Sequence, residues 1–349
     1  MELTEEHLAL RDAVRGLLAG YPTRAAAEQP GGYDAGLWQR LCKEIGVAGL
    51  AVPEAYGGAG ATLLESHVVL GEWGRALTPG PMLGGAVLAT QALLRAGDEE
   101  ACERLLPGIC AGDRIATPAW PGDTVAAAGR LTGEAHQVLD AETAEILLVP
   151  AGDTLWEVAA NAPGVTVRPS DVLDPTRRLA VVRLDDAAAH RLGAWDDDAM
   201  RDLACVALSA EQAGAAARAF EATHEYVQQR VQFGRPIGSF QVLQHRLAEA
   251  YLRLEAATTA SWTAAEALVA GAGDASTLAA MAKVYCSEAL QAIAAEMVQM
   301  HGGIAITWEH DAHLYLRRAY ADAQLFGAPA AHLGRLAATL LTGPDSGLT

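Results

Sequence analysis

An arginine-bearing turn in the last third of the chain has the residue types of an anion site. Arg230 ends a long helical pattern, Phe233 and Gly234 follow it, and Gln241 lies a few residues further on. A guanidinium forms two charge-assisted hydrogen bonds to a phosphate, and a helix terminus adds N–H groups. The alternative is a plain corner between two helices, with Ser239 as the cap of the second helix.

A second segment combines an amide side chain with two adjacent glycines. Gln299 precedes Gly302 and Gly303, and His301 lies between them. Two successive glycines allow a ligand to approach the backbone closely, so the segment can offer N–H groups to an anion. The alternative is a helix C-terminus in which Gly302 adopts the left-handed conformation and His301 is a structural histidine.

Long helical patterns position both segments. Residues 239–270 and 274–301 contain neither glycine nor proline and are rich in alanine, which predicts two long helices. Helices of this length do not bury their apolar faces alone. We therefore expect a bundle of antiparallel helices over residues 197–341, with some faces buried against another subunit.

The chain before this bundle changes its pattern near Gly112. Residues 1–113 alternate helical patterns, one of them over residues 83–95, with glycine-rich turns. Residues 114–196 instead hold short β-branched runs separated by proline and glycine, which predict strands at 146–149, 165–167 and 179–184. The sequence thus predicts a mainly α protein with a small central β domain. Its parts are a helical domain at 1–113, a β domain at 114–196, a helical bundle at 197–341 and a loose tail at 342–349.

Composition and charge narrow the class of protein. The chain has 349 residues, of which 51% are hydrophobic and 19% charged, so it is globular rather than disordered. A formal net charge of -18 argues against binding nucleic acid or an anionic membrane. No apolar run has the length of a membrane span, and the acidic start is unlike a signal peptide, so we expect a cytoplasmic protein.

The cysteines predict neither disulfides nor a metal site. Their number is odd, and no pair has the spacing of metal ligands. We expect them to be reduced and mostly buried. They are Cys42, Cys102, Cys110, Cys205 and Cys286.

The two segments, together with residues 46–58 and 72–75, resemble the acyl-CoA dehydrogenase family. The family's arginine-x-x-Phe-Gly turn, its Phe-Gln pair and its Gln-x-x-Gly-Gly segment recur here in the same order and at matching separations. Members are FAD enzymes with a helical N-terminal domain, a β domain and a C-terminal four-helix bundle. The resemblance covers nearly the whole chain and implies the same fold here.

The resemblance also implies a role for each motif residue. Arg230 is similar to the arginine that pairs with the FAD pyrophosphate of a neighbouring subunit. Phe233 and Gln241 are similar to the residues along the adenosine side. The glutamine and backbone that receive the same dinucleotide correspond to Gln299, Gly302 and Gly303.

The family's catalytic base is missing from the positions where the resemblance places it. In the family, a glutamate removes the thioester α-proton while hydride leaves the β-carbon for the flavin. One position for this glutamate corresponds to Phe326 and the alternative one to Ala204, and neither side chain can accept a proton. Asp202 lies on a different helix face, and we expect Glu211 to be a structural carboxylate. The catalytic residue is left unassigned.

The flavin cradle departs from the family as well. The family's Thr-Glu-Pro-x-x-Gly-Ser-Asp loop becomes residues 115–123, with Thr117 as its remnant, and the Trp-Ile-Thr strand becomes residues 138–141. The chain therefore keeps the residues that clamp a neighbour's dinucleotide but lacks cradle and base. In this it resembles the base-lacking chain of actinobacterial heteromeric members. The resemblance implies a partner chain that supplies the glutamate, in a heterotetramer.

Three functions stay open at this point. The resemblance favours a subunit of an FAD-linked dehydrogenase that desaturates an acyl-CoA or acyl-carrier thioester, with electron-transfer flavoprotein or a similar acceptor. The second is a self-sufficient, self-associating flavoenzyme whose base is unusual, such as Asp202. The third is a flavin-free protein that binds thioesters or serves as a structural partner.

Overall fold

The computed structural model describes residues 3–120 and 122–342. It confirms the predicted fold class, because helices occupy both ends of the chain and strands lie between them in sequence. The predicted tail beyond residue 342 lies outside the described residues. The helices are α1 (Glu5–Leu18), α2 (Thr23–Ala27), α3 (Ala35–Glu44), α4 (Leu63–Arg75), α5 (Thr90–Ala96), α6 (Glu99–Cys110), α7 (Asp197–Gln229), α8 (Gln241–Ala270), α9 (Ala275–His301), α10 (Ala312–Asp322) and α11 (Pro329–Thr342). The strands are β1 (Ala116–Pro118), β2 (Val125–Ala127), β3 (Arg130–Leu139), β4 (Ile146–Ala151), β5 (Thr154–Ala159), β6 (Val165–Pro169), β7 (Leu179–Ala188), β8 (His190–Ala194), β9 (Val231–Gln232) and β10 (Arg235–Pro236).

The chain forms two compact units. One contains Leu3–Leu70 and Thr78–Ala204, and the other contains Gly71–Leu77 and the described chain from Cys205 onward. Helices α4 and α7 each contribute residues to both units. The three-domain division at residues 113 and 196 stays a prediction.

The first helices begin at capping residues that the sequence supplies. The Thr4 hydroxyl accepts a hydrogen bond from the His7 N–H at 3.2 Å and so caps α1. Asp98 caps α6 in the same way, through a 3.0 Å bond from the Ala101 N–H. Such side chains satisfy backbone donors that have no partner within the helix, which fixes where each helix starts.

The α-helix predicted over residues 83–95 is partly wrong, because Met82–Ala89 is a π-helix that continues into α5. All eight of its residues are buried. A Cβ on Gly84 would lie 3.0 Å from the Leu139 Cβ, and one on Gly85 would lie 3.3 Å from the Ala116 carbonyl oxygen. The glycine pair therefore lets this wide helical turn lie directly against the strands, a packing that the periodicity alone does not reveal.

The central strands form two four-stranded sheets that share one core. Their orders are β1-β4-β5-β8 and β2-β3-β7-β6, and only β1 and β4 pair in parallel. Alternate residues of both sheets point into a common cluster that includes Leu131, Val149 and Val182. The predicted runs at 146–149, 165–167 and 179–184 lie in β4, β6 and β7.

The second unit is a bundle of long helices with small residues at the contacts. Helices α8 and α9 are joined by a short turn that starts at Gly271, whose φ is 62°, so they run antiparallel. Residues of α7, α8, α9 and α10 share one core, and α11 packs on α9. Gly214 brings α7 against α4, since a Cβ there would lie 1.8 Å from the Gly71 carbonyl oxygen.

All five cysteines are buried, as predicted. Burial raises the pKa of the thiols of Cys42 and Cys286 to about 12 and that of Cys110 to about 11. These three thiols stay protonated at neutral pH and are poor nucleophiles. Separately, among the residues that the structure describes, no helix is both long enough and apolar enough to cross a bilayer.

We predict an acid-sensitive stability that depends on His67. Complete burial lowers the pKa of this histidine to about 3, from an ordinary value of 6.5. The unfolded chain therefore binds the proton more tightly, and stability falls by up to about 1.4 kcal/mol per pH unit below pH 6.5. Urea unfolding at pH 7.5 and 5.5 should show a loss smaller by about 1.4 kcal/mol in His67→Gln. The exposed control His245→Gln should lose as much as wild type, and an equal loss in His67→Gln would contradict the assignment.

Candidate functional site

The bundle brings the two predicted motif segments together at one of its ends. Tyr226, near the end of α7, stacks on His301 at the end of α9, with ring centroids 4.2 Å apart and an interplanar angle of 24°. The Tyr226 hydroxyl also donates to the His301 carbonyl oxygen at 3.4 Å. The turn after Arg230 and the Gly302-Gly303 pair therefore leave the bundle side by side.

The turn after Arg230 is a tight hairpin rather than a loose corner. Strands β9 and β10 pair across Phe233 and Gly234, which have φ values of 52° and 76°. The Ile237 N–H donates to the Arg230 carbonyl oxygen at 2.8 Å and closes the hairpin. Phe233 at its tip is 91% exposed, and its ring meets Phe240 edge-on at 6.1 Å. The hairpin thus presents an aromatic ring and an arginine to the outside.

The predicted Ser239 cap of α8 is wrong. The Ser239 hydroxyl donates to the Pro236 carbonyl oxygen at 2.7 Å and so stabilises the hairpin instead. Phe240 occupies the cap position, and no side chain caps this helix. The start of α8, beside the exposed Gln241, therefore has no side-chain acceptor for its first N–H groups.

The glycine pair after α9 lies at an open surface. A Cβ on either Gly302 or Gly303 would meet no atom within 4 Å. Gly302 does not adopt the predicted left-handed conformation, because its φ of 66° combines with a ψ of -141°. Its N–H still donates to the Val298 carbonyl oxygen and ends the helix. A ligand can therefore reach this backbone without steric hindrance.

His301 has the contacts of a structural histidine. Its Nδ1 is 2.8 Å from the Met297 carbonyl oxygen and donates to it. Burial lowers the pKa of His301, and the nearby His310 lowers it further. The hydrogen bond to Met297 raises the pKa but does not cancel the effect of burial. A neutral ring stacks well on Tyr226, so His301 joins two helices rather than transferring protons.

Cys205, which follows one of the two positions expected for the base, contacts the other position. Ala204 is fully buried on α7, and the Cys205 sulfur that follows it lies 4.0 Å from the Phe326 carbonyl oxygen. Cys205 also lies 3.7 Å from the His332 Nε2. Because Phe326 and Ala204 have no titratable group, neither position offers a base.

Glu211 is held in a buried ion pair, which supports a structural role. One of its carboxylate oxygens lies 3.7 Å from a guanidinium nitrogen of Arg318, and both side chains are 2% exposed. Asp202 is also buried, at 6% exposure. A carboxylate that neutralises a buried arginine is not available to take a proton from a substrate.

The cradle loop uses its polar groups within the chain. The Thr117 hydroxyl is fully buried and donates to the Leu139 carbonyl oxygen at 2.8 Å. Trp120 and Trp195 both donate to the Asp197 carboxylate, and their rings meet edge-on at 5.8 Å. For FAD, the residues at the end of the bundle suit a diphosphate, whereas this loop does not present Thr117 to a flavin ring.

Three of the contacts around these positions were not predicted from the sequence. They involve Tyr226, His332 and Lys283, which is fully buried. The signal for Lys283 was available, since the chain has only two lysines and this one lies among apolar residues of a helix. Across residues 3–120 and 122–342, no three His, Cys, Asp or Glu side chains are grouped so that they could bind a metal ion.

We predict that Glu211 contributes to stability and not to proton transfer. Glu211→Gln removes a carboxylate from the buried Arg318 guanidinium and should cost about 3–5 kcal/mol in urea unfolding. Glu225→Gln, on the same helix but at an exposed ion pair with Arg218, should cost less than about 1 kcal/mol. Unchanged stability of Glu211→Gln together with lost dehydrogenase activity would show that Glu211 is the base.

The sequence and the fold were compared with known proteins. Residues 4–113 match "Acyl-CoA dehydrogenase, N-terminal domain" and residues 202–341 match "Acyl-CoA dehydrogenase, C-terminal domain". The chain is 40% identical to "Acyl-CoA dehydrogenase IpdE2" of Mycolicibacterium smegmatis over 342 residues, which cover 96% of this chain and 99% of that protein.

Solved structures with the same fold include two complexes. A chain of the ChsE4-ChsE5 complex from Mycobacterium tuberculosis superposes with a TM-score of 0.92, is 29% identical, and covers 98% of this chain and 99% of its own length. A chain of a Tcur3481-Tcur3483 steroid ACAD variant gives a TM-score of 0.89 at 31% identity, over 96% of this chain and 97% of its own. With both terminal domains matched and a full-length relative at 40% identity, the chain belongs to the acyl-CoA dehydrogenase family.

Proposed function

We propose that this chain is one subunit of a heteromeric, FAD-dependent acyl-CoA dehydrogenase, whose partner chain supplies the catalytic glutamate. The observation that carries the proposal is a contrast within one chain. The motif segments at the end of the bundle are accessible and polar, while Phe326 and Ala204 stand where a base is needed. A chain of this kind contributes to a shared cofactor site without completing a catalytic site of its own.

The proposed contribution to the cofactor is a clamp for its diphosphate. The residues that would hold it are Arg230, Phe233, Gln241, Gln299, Gly302 and Gly303. The Arg230 guanidinium would bind the pyrophosphate bidentately, and the open glycine backbone would add N–H donors. Phe233 at the hairpin tip would contact the adenosine side, next to Gln241. When bound, FAD supplies the hydride acceptor for α,β-desaturation of the thioester.

The surface of the bundle supports assembly with another chain. Among the described residues, the large apolar side chains that are exposed lie mostly in the second unit, including Phe233 at 91%, Ile306 at 76% and Leu252 at 68%. Exposed apolar side chains that form a patch mark surfaces that bind another protein, and the proposal assigns this role to the second unit. The two similar complexes named above are consistent with a partner of the same family. A homomeric enzyme with Asp202 as its base is less well supported, since Asp202 is almost fully buried.

We predict that the isolated chain does not desaturate acyl-CoA thioesters. General-base catalysis contributes about 10²–10⁴-fold, so its absence should be obvious in a dye-reduction assay with acyl-CoA substrates. Turnover should appear only after coexpression with a dehydrogenase-like partner that carries the glutamate. Robust turnover by the purified chain alone, abolished by Asp202→Asn, would contradict the proposal.

We also predict that Arg230 retains flavin in the assembled complex. Loss of a bidentate, charge-assisted contact costs about 1.5–3 kcal/mol, so Arg230→Ala should weaken FAD binding roughly tenfold to hundredfold. Arg230→Lys should lie between, because it keeps the charge and loses the planar fork. The measurement is flavin per protein after gel filtration of each variant with its partner.

The matched control for this experiment is Arg253→Ala. Arg253 is exposed on α8, and its replacement changes the net charge equally without altering the hairpin. The control should keep its flavin. Equal flavin content in wild type, both Arg230 variants and the control would reduce Arg230 to a solvated charge at a helix end and remove the clamp from the account.

A further inference from the structure

A fully buried lysine binds the backbone at the start of the turn that carries Phe326. The chain has two lysines, and Lys283 on α9 is 0% exposed. Burying an ammonium group in a protein interior has a desolvation cost that only bonds from all of its donors can offset. A buried lysine in a chain whose positive charge comes almost entirely from arginine therefore needs a specific reason.

The contacts of Lys283 use each of its three N–H donors. The Nζ lies 2.7 Å from the Asp322 carbonyl oxygen, 3.3 Å from that of Ala323 and 3.3 Å from the Ser287 hydroxyl. The two carbonyls end α10, where the helix dipole is negative and backbone acceptors lack intrahelical partners. The Ser287 hydroxyl in turn accepts from the Gln212 amide at 3.0 Å, which ties the group to α7.

Hydrogen bonds from Arg335 through His332 hold the other end of the same turn. The Arg335 guanidinium lies 3.2 Å from the His332 Nδ1, and since arginine only donates, the His332 proton must reside on Nε2. That Nε2–H donates to the Phe326 carbonyl oxygen at 3.0 Å. The same assignment means that His332 cannot accept a proton from the Cys205 thiol, so these two residues are not a nucleophile–base pair.

The 322–327 turn, held by Lys283 and His332, has a backbone conformation that it would not adopt by itself. Phe326 has a φ of 56° and Gly327 a φ of 100°. A bulky residue in the left-handed region is strained and persists only when its surroundings impose it. Lys283 fixes the turn on one side and His332 on the other. Two independent sets of hydrogen bonds therefore hold Phe326 in its strained backbone conformation.

We infer that Lys283 is a positioning residue, whose buried charge fixes the 322–327 turn and thereby sets the place of the Phe326 ring. The consequence for substrate, which rests on the proposed function, is that Phe326 forms a rigid wall toward the acyl thioester. The ammonium suits this task because its three donors on one atom match three acceptors that converge. A guanidinium at the same Cα would spread its donors over a larger plane.

The experiment is ¹⁹F NMR of the full chain labelled with 4-fluorophenylalanine. The chain has four phenylalanines, and the Phe326 signal is identified by its loss in Phe326→Leu. In Lys283→Met, which keeps the bulk and removes the charge, the Phe326 signal should shift or broaden. The signals of Phe220, Phe233 and Phe240 should stay in place. The matched control Lys43→Met, at the exposed second lysine, should leave all four signals unchanged.

Two further measurements keep the inference testable if Lys283→Met does not fold. Reductive methylation of the native chain should modify Lys43 at least ten times faster than Lys283, and unfolding in urea should remove the difference. His332→Gln, which alters the bond to the Phe326 carbonyl oxygen, should also perturb the Phe326 signal. An unchanged Phe326 signal in folded Lys283→Met, or equal methylation rates in the native chain, would overturn the inference.

Octanoyl-CoA tests the dependence on the proposed function separately. Titrating it into the labelled chain should move the Phe326 signal and leave that of Phe220 in place. If octanoyl-CoA moves none of the signals while Lys283→Met still perturbs Phe326, the proposed thioester site is contradicted and the positioning role of Lys283 stands.

Discussion

The stacking of Tyr226 on His301 is the interaction on which the proposed cofactor clamp depends. Each ring lies in the last turns of a helix of roughly 40 Å or more, directly before one of the two motif segments. The stack and the Tyr226 hydroxyl bond set the separation of the two helix ends. The hairpin after Arg230 and the glycine pair at 302–303 follow directly from these two helix ends, and the proposal is that one extended anion contacts both.

Close helix packing makes this arrangement of helix ends possible. Alanine and glycine at the contacts let α7 approach α4 until backbone meets backbone. A Cβ on Gly214 would lie only 1.8 Å from the Gly71 carbonyl oxygen and would clash with it. Small residues remove the side-chain adjustment that larger ones would permit, so the helices have one register. Buried charged side chains also fix the helices relative to one another. Glu211 pairs with Arg318, and Lys283 binds the end of α10.

The sequence predicted the helices and strands well where a repeating pattern or a capping residue determines them. The long helices, the strand runs at 146–149 and 179–184, and the buried cysteines follow from periodicity and residue type. Tertiary contacts decided the rest. The π-helix at 82–89 depends on strands lying against Gly84 and Gly85, and Ser239 prefers the Pro236 carbonyl over the helix end. The proximity of Cys205 and Phe326, more than a hundred residues apart in sequence, is a property of the packed helices alone.

Division of labour between two chains is the central claim, and the ratio of flavin to chains tests it most directly. Native mass spectrometry of the complex copurified with its partner resolves how many copies of each chain and how many FAD molecules it holds. The account predicts equal numbers of the two chains and fewer FAD molecules than chains, with no FAD on this chain when it is released alone. One FAD for every chain, or a stable complex of this chain with itself that holds flavin, would contradict it.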